Sequence, residues 1–361
     1  MNPTHSIIRG ALLWLCLLPG LAGADQVDSL MAEMSDQRKA AQLLLVYHTT
    51  ADFASKHQFG GILIMRDMLA QPGQLRGELA RLQRQPIGVL VAIDQEGGRV
   101  NRMSRLPGWK NVPSAKTMST WSEDKITVHA ARMAKILSEL GVNMNLAPVL
   151  DPSRDDKGRR AFMGKKERSF GNEPDVISAK AGAYIRGFQR HGVVSVSKHF
   201  PGYDVQTNSD HEIAVSHAPM SSVKRNAGTF DRLSGQVDGV MISSIQFTAI
   251  NGRPAVLSKS ILDWAREMHP RAILMTDDLW GSALRSWIRD KGARGQDAEV
   301  LDLTRMALQS GNDMLMITHP QLAVKMKEQI GSWMRTDTGV RRQVEQAVER
   351  ILRVKQRMGL L

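Results

Sequence analysis

The sequence predicts an α/β protein folded as a single (β/α)8 barrel. Two observations predict it: short apolar runs alternate with amphipathic stretches, and most of those runs end in polar residues. The runs span 43–47, 61–65, 88–94, 142–148, 193–199, 239–245, 272–277 and 313–317. Continuous apolar runs, as opposed to alternating ones, indicate strands covered on both faces. Helical patterns fill the intervals at 73–84, 124–140, 175–190, 258–269 and 299–309. Gly141, Gly192 and Gly311 lie just after three of them, where a left-handed C-terminal cap favours glycine. Strand–helix alternation predicts a parallel sheet, and eight strands close one into a barrel. A doubly wound open sheet is the alternative. The polar ends decide between them. Asp94 ends the third run, Asn145 lies late in the fourth, and Lys198 and His199 end the fifth. Ser243 and Ser244 lie late in the sixth, and Asp277 ends the seventh. A barrel gathers all of these on one face, where active sites are built; an open sheet scatters them away from its switch point. Val344, Val348, Ile351, Leu352 and Leu360 predict a final helix on the barrel exterior over 340–361. No internal repeat or linker interrupts the chain, so residues 25–361 are expected to form one domain.

Residues 1–24 have the pattern of a signal peptide. Arg9 supplies a positive start, Ala11 to Leu18 an apolar run, Pro19-Gly20 a break, and Ala22-Gly23-Ala24 a small-x-small cleavage site. Retention as an N-terminal anchor is the alternative, but the run is too short to span a bilayer, so no stable membrane insertion is expected. The single cysteine, Cys16, lies in that run, outside any acylation context. The mature chain therefore has no thiol, which permits an oxidising compartment, and an exported, periplasmic or secreted location is expected. The net charge of +12 is spread along the chain without a basic run or a nucleic-acid module. Solvated basic helix faces explain such a spread best; it also suits an anionic neighbourhood such as a cell-wall polymer, excludes no enzyme class, and predicts no nucleic-acid partner.

Three motifs carry chemistry. In Asp94-Gln95-Glu96-Gly97-Gly98-Arg99-Val100-Asn101-Arg102, a strand delivers a carboxylate to its end and two glycines turn the backbone before two arginines. In Lys198-His199-Phe200-Pro201-Gly202, a buried strand opens into a polar loop holding Asp204, Asn208, Ser209, Asp210 and His211. Histidine there suits acid/base work near neutral pH. His199, Asp210 and His211 are also conceivable metal ligands, but no zinc spacing such as His-Glu-x-x-His occurs, and neither metal nor cofactor is expected. In Thr276-Asp277-Asp278-Leu279-Trp280, an apolar strand pushes Asp277 onto the catalytic face, while Asp278 is placed to cap the next helix.

In order and approximate spacing these motifs resemble the family 3 β-N-acetylglucosaminidases. The resemblance runs from about residue 58 to the C-terminus. It includes Gly60-Gly61-Ile62-Leu63, Asn145-Leu146-Ala147-Pro148-Val149-Leu150-Asp151, Arg168-Ser169-Phe170-Gly171 and Ser310-Gly311-Asn312-Asp313-Met314. It implies a single barrel without metal that hydrolyses terminal β-linked N-acetylglucosamine with retained configuration. Position by position, it implies Asp277 as nucleophile and His211 as general acid/base, in place of the usual second carboxylate. It implies Asp94, Arg102, Arg168, Lys198 and His199 as ligands of the sugar hydroxyls and acetamido group. Periplasmic peptidoglycan or its fragments is the expected carbohydrate substrate, and a monomer the expected state.

Two departures stand out. The family loop runs Lys-His-Phe-Pro-Gly-His-Gly and then Asp-Ser-His, whereas this chain has Tyr203-Asp204 and Ser209-Asp210-His211. The carboxylate two before the histidine is displaced to the adjacent position, which faces the other way in extended backbone, leaving Asp204 as a possible substitute partner. Trp280 replaces the small residue usual three positions after the nucleophile, with the expected effect of narrowing or reshaping the subsite there. The altered loop keeps two alternatives open: a family 3 β-glucosidase-like hydrolase or phosphorylase, and a non-catalytic wall-sugar-binding protein.

Overall fold

The computed structural model describes residues 19–209 and 211–361, with side chains from residue 26 onward. Residues 1–18 of the expected leader lie outside them; Pro19–Glu33 is helical. All eight expected strands form: β1 Leu44–Tyr47, β2 Gly61–Ile64, β3 Leu90–Ile93, β4 Met144–Asn145, β5 Val194–Phe200, β6 Gly239–Ile242, β7 Ile273–Thr276 and β8 Leu315–Ile317. Each pairs in parallel with the next from β1 to β7, and β1 also pairs with β8 through Leu44 and Leu315. The circle closes where Met275 of β7 bridges Met314, with Thr276 N donating to Met314 O at 3.0 Å. The polar strand ends therefore do share one face.

The strands are mostly apolar because each buries both sides; polar exceptions such as Asn145 of β4 and Ser195, Ser197, Lys198 and His199 of β5 are buried as well. Leu45, Leu63, Leu90, Ala92, Val194, Val196, Met241, Ile273, Met275 and Met316 fill the barrel, while Leu44, Val46, Val91, Ile93 and Val240 face the surrounding helices. The expected helices appear as Pro72–Leu82, Glu123–Leu140, Pro174–Gln189, Lys259–Met268 and Gln296–Ser310, with left-handed caps at Gly141 and Gly311. Further helices at Ala51–His57, Met220–Asp231, Ser282–Arg289 and Pro320–Thr336 complete the ring.

The C-terminal helix, Thr338–Arg357, forms as expected but is not confined to the exterior. Val344, Val348 and Leu352 pack outside, whereas Ile351 and Val354 join the core within the strands. Gly88 N donates to Leu360 O at 2.7 Å, so the segment seals the barrel at the strands' N-terminal ends. Beside it Lys355 is fully buried, donating to Gln42 Oε1 at 2.7 Å with no carboxylate partner among the described residues. Burial, aided by Arg38, pulls its pKa down to about 7. The unfolded chain thus holds a proton that the folded one lacks between about pH 7 and 10. Stability should rise with pH across that window in the wild type. Lys355→Met should flatten the rise and increase stability at pH 7 by about 1–4 kcal/mol, as read by denaturant unfolding. A variant less stable at pH 7 contradicts this.

Candidate active site

The inward positions of each strand continue past its end into the site. Leu90 and Ala92 lead to Asp94, Val194 and Val196 to Lys198, and Ile273 and Met275 to Asp277, each two residues on. Side chains two apart share a face of a strand, so the series that fills the barrel delivers charge to its mouth. There a cavity of about 370 Å³ is lined by Asp94, Arg102, Arg168, Lys198, His199 and Asp277, with Tyr203, Asn208, Ser209 and apolar Met65, Leu146 and Met241. Lys198 and His199 both reach it although neighbours; the β5–β6 register shifts between Lys198 and Phe200 at that point.

Five charged groups interlock on one wall. Lys198 contacts the Asp94 carboxylate and lies 2.7 Å from Glu96 Oε1. Arg102 reaches Asp94 at 3.1 Å, and Arg168 grips both Glu96 oxygens at 2.8 Å. Burial opposes ionisation of Asp94, but the Lys198 and Arg102 cations outweigh it and hold the carboxyl well below the ordinary carboxylate range. Burial likewise opposes ionisation of Glu96, and Arg168 and Lys198 keep it charged. The Lys198 ammonium, despite burial, is held above the usual lysine range by those two carboxylates. The result is a preorganised set of charged donors and acceptors, suited to the hydroxyl and amide groups of a neutral polyol.

The turn that brings Arg102 back to Asp94 requires Gly97 and Gly98. Their φ values are +96° and +56°, and a Cβ on Gly97 would lie 2.2 Å from Pro113 O. His199 is oriented by Asp151, a fully buried carboxylate that accepts from His199 Nδ1 at 2.7 Å, His199 N at 3.0 Å and Tyr203 N at 2.7 Å. That bond leaves Nε2 as the nitrogen for the cavity. Glu96 and Asp151 escape sequence reasoning as site residues. Each stands inside a quoted motif, but its role depends on a partner, Arg168 or His199, remote in sequence.

Asp277 stands on the cavity's far side, with Asp278 N donating to its Oδ1 at 2.8 Å. Asp278 does not cap the following helix. Its Oδ1 accepts from Trp280 N and Thr318 N at 3.0 Å and its Oδ2 from the Thr318 hydroxyl, so it ties the β7 loop to the β8 loop. Trp280 lies outside the cavity lining: Arg285 stacks on its ring at 3.8 Å and His319 meets it edge-on.

His211 is not brought into the cavity. It is exposed on the loop after β5, its carbonyl 3.4 Å from the Ser282 hydroxyl. Asp210 lies outside the described residues. Asp204 is buried beside Ser216, burial pushing its carboxyl up to about 6, and no hydrogen bond joins it to His211 among the described residues. The loop therefore presents His211 at the rim, with Ser209 and Asn208 on the cavity side. Among the described residues no group of three or more His, Cys, Asp and Glu side chains is arranged to hold a metal ion.

Comparison with known proteins decides what this cavity belongs to. The sequence model for the glycosyl hydrolase family 3 N terminal domain matches residues 36–354. The chain belongs to glycosyl hydrolase family 3. A beta-hexosaminidase of Pseudomonas aeruginosa is 28% identical over 228 residues, 62% of this chain and 67% of that protein. Beta-hexosaminidase LpqI of Mycobacterium tuberculosis is 31% identical over 244 residues, 65% of this chain and 61% of that protein. The structure of M. tuberculosis LpqI superposes with a TM-score of 0.77 at 26% identity, covering 91% of this chain and 96% of that one. A beta-N-acetylhexosaminidase structure from Beutenbergia cavernae, at 23% identity, shares the fold with a TM-score of 0.77, covering 90% of this chain and 99% of that one. As a family 3 glycoside hydrolase the chain acts on carbohydrate, and the cavity at the barrel mouth is its candidate active site. No described helix is long and apolar enough to cross a membrane.

Proposed function

We propose that the protein is a retaining exo-β-N-acetylglucosaminidase that removes terminal β-linked N-acetylglucosamine from peptidoglycan or its fragments in the periplasm or outside the cell. The observation that carries this reading is the pairing of Asp277, across a cavity sized for about one sugar residue, with the interlocked Arg102–Asp94–Lys198–Glu96–Arg168 network. The hexosaminidase names of the relatives supply the sugar. The leader pattern supports an exported location.

In this mechanism the network and His199 hold the sugar hydroxyls. Asp277 attacks the anomeric carbon, the glycosidic bond breaks, and a glycosyl–Asp277 ester forms through an oxocarbenium-like transition state. His211 protonates the departing oxygen, then takes a proton from the water that releases the sugar. That role requires the loop to carry His211 inward once substrate is bound, consistent with catalytic contacts that tighten only in the complex. The test is the first product seen by proton NMR during hydrolysis of an aryl β-N-acetylglucosaminide, with and without phosphate. β-N-Acetylglucosamine is expected. An initial α-anomer contradicts the glycosyl–Asp277 intermediate, and a glycosyl phosphate identifies a phosphorylase instead.

A further inference from the structure

A second cavity, of about 350 Å³, lies beside the first. Its walls come from the loops that follow β3 and β4, so it opens on the catalytic face. The two cavities share a partition. Met163 and Arg168 line the sugar pocket, and the next residues, Gly164 and Ser169, line the second. Three cations line this neighbour, Lys116, Arg154 and Arg160.

Their pairing differs from that of cations elsewhere in the site. Arg102, Arg168 and Lys198 each meet a carboxylate, as does Arg159 through Asp155. Arg154 instead donates to Gly158 O at 2.7 Å and Arg160 to Gly164 O at 3.0 Å, and neither has a carboxylate partner among the described residues. Lys116 alone is paired, to Glu167 at 3.2 Å. Arg154 and Arg160 also face each other across an antiparallel bridge. Like charges directly opposite disfavour such a pairing, and the chain keeps two of them there, each steered by a main-chain carbonyl with further N–H groups left to donate.

From this geometry we infer that the second cavity is an anion subsite, in which Arg154 and Arg160 bind a carboxylate carried by the leaving-group side of the glycan. It rests on the N-acetylglucosaminidase reading and deepens it. The occupied sugar pocket would place the scissile bond at the cavity mouth, and the arginines would select glycans whose next unit is acidic. A carboxylate can come from a lactyl ether on the next sugar or from a peptide attached to it.

The experiment compares kcat/KM for N-acetylglucosamine β-1,4-linked to N-acetylmuramic acid, for the same disaccharide carrying a stem peptide, and for neutral N,N′-diacetylchitobiose. The double variant Arg154→Gln/Arg160→Gln is measured alongside, with 4-nitrophenyl β-N-acetylglucosaminide as the neutral reference. Both side chains are exposed, so the variant should fold. The wild type should prefer the lactyl disaccharide over chitobiose by about tenfold at low salt. The double variant should lose that preference through KM, with the neutral reference unchanged. If the preference appears only with the stem peptide and still depends on both arginines, the carboxylate is the peptide's. A preference indifferent to the double substitution, or none at all, overturns the subsite. Should the wild type leave the reference unhydrolysed, the activity reading itself fails. Calorimetric binding of the lactyl disaccharide to both proteins then decides the subsite separately: equal affinity overturns it, and weakened affinity in the variant supports it.

Discussion

Asp277→Asn should fold like the wild type and turn over an aryl β-N-acetylglucosaminide more slowly by on the order of 10³- to 10⁶-fold. The position is set by β7, whose inward residues Ile273 and Met275 place Asp277 at the barrel mouth. Neighbouring Asp278 is engaged structurally by Trp280 and Thr318. An amide at 277 keeps the shape and the Asp278 N–H contact but cannot form the ester. Initial rates with circular dichroism as a folding control make the check. The companion Asp278→Asn should chiefly lower thermal stability, because its hydrogen bonds brace two loops. Undiminished turnover by Asp277→Asn overturns the nucleophile assignment.

Lys198→Met has the second large effect. Among the described residues its ammonium is the only cation touching both Asp94 and Glu96. Without it the buried Glu96 and the half-buried Asp94 share one wall with a single arginine each, and removing one partner of such a network costs up to about 3–5 kcal/mol. Differential scanning calorimetry should show that loss near neutral pH. The pH dependence has a definite sign. Folded carboxyls held below their unfolded values stabilise above the unfolded pKa, and that contribution fades as pH falls through the folded value. In the wild type it survives well into acid. In Lys198→Met the carboxyls rise towards ordinary values, so acid unfolding should begin at higher pH. Turnover should also fall at least about 100-fold through lost sugar contacts. Wild-type stability and kcat/KM in this variant would remove the network from the account.

The barrel was legible because burial on both faces leaves mostly apolar runs, and the inward series of such a run points to its own polar end, even in β5 where Ser195 and Ser197 alternate with Val194 and Val196. Asp94, Lys198 and Asp277 are read that way. The helices Ala51–His57 and Ser282–Arg289 are too short for their period to stand out, although Pro320–Thr336 carries Leu322, Met326, Ile330 and Met334 at four-residue spacing. Contacts between distant segments were illegible. Nothing local tells that Glu96 meets Arg168, that Asp151 orients His199, or that Ile351 and Val354 leave the outer helix layer to seal the barrel. The same holds for His211: its motif marks it, but the loop's path decides whether it reaches the cavity.

The central claim is tested most directly by mixing the purified protein with 4-nitrophenyl β-N-acetylglucosaminide and, separately, with the β-glucoside, and following nitrophenol release. Steady hydrolysis of the N-acetylglucosaminide, with little or none of the glucoside, is the predicted result. A folded protein that ignores the first substrate, or that prefers the second, contradicts the account.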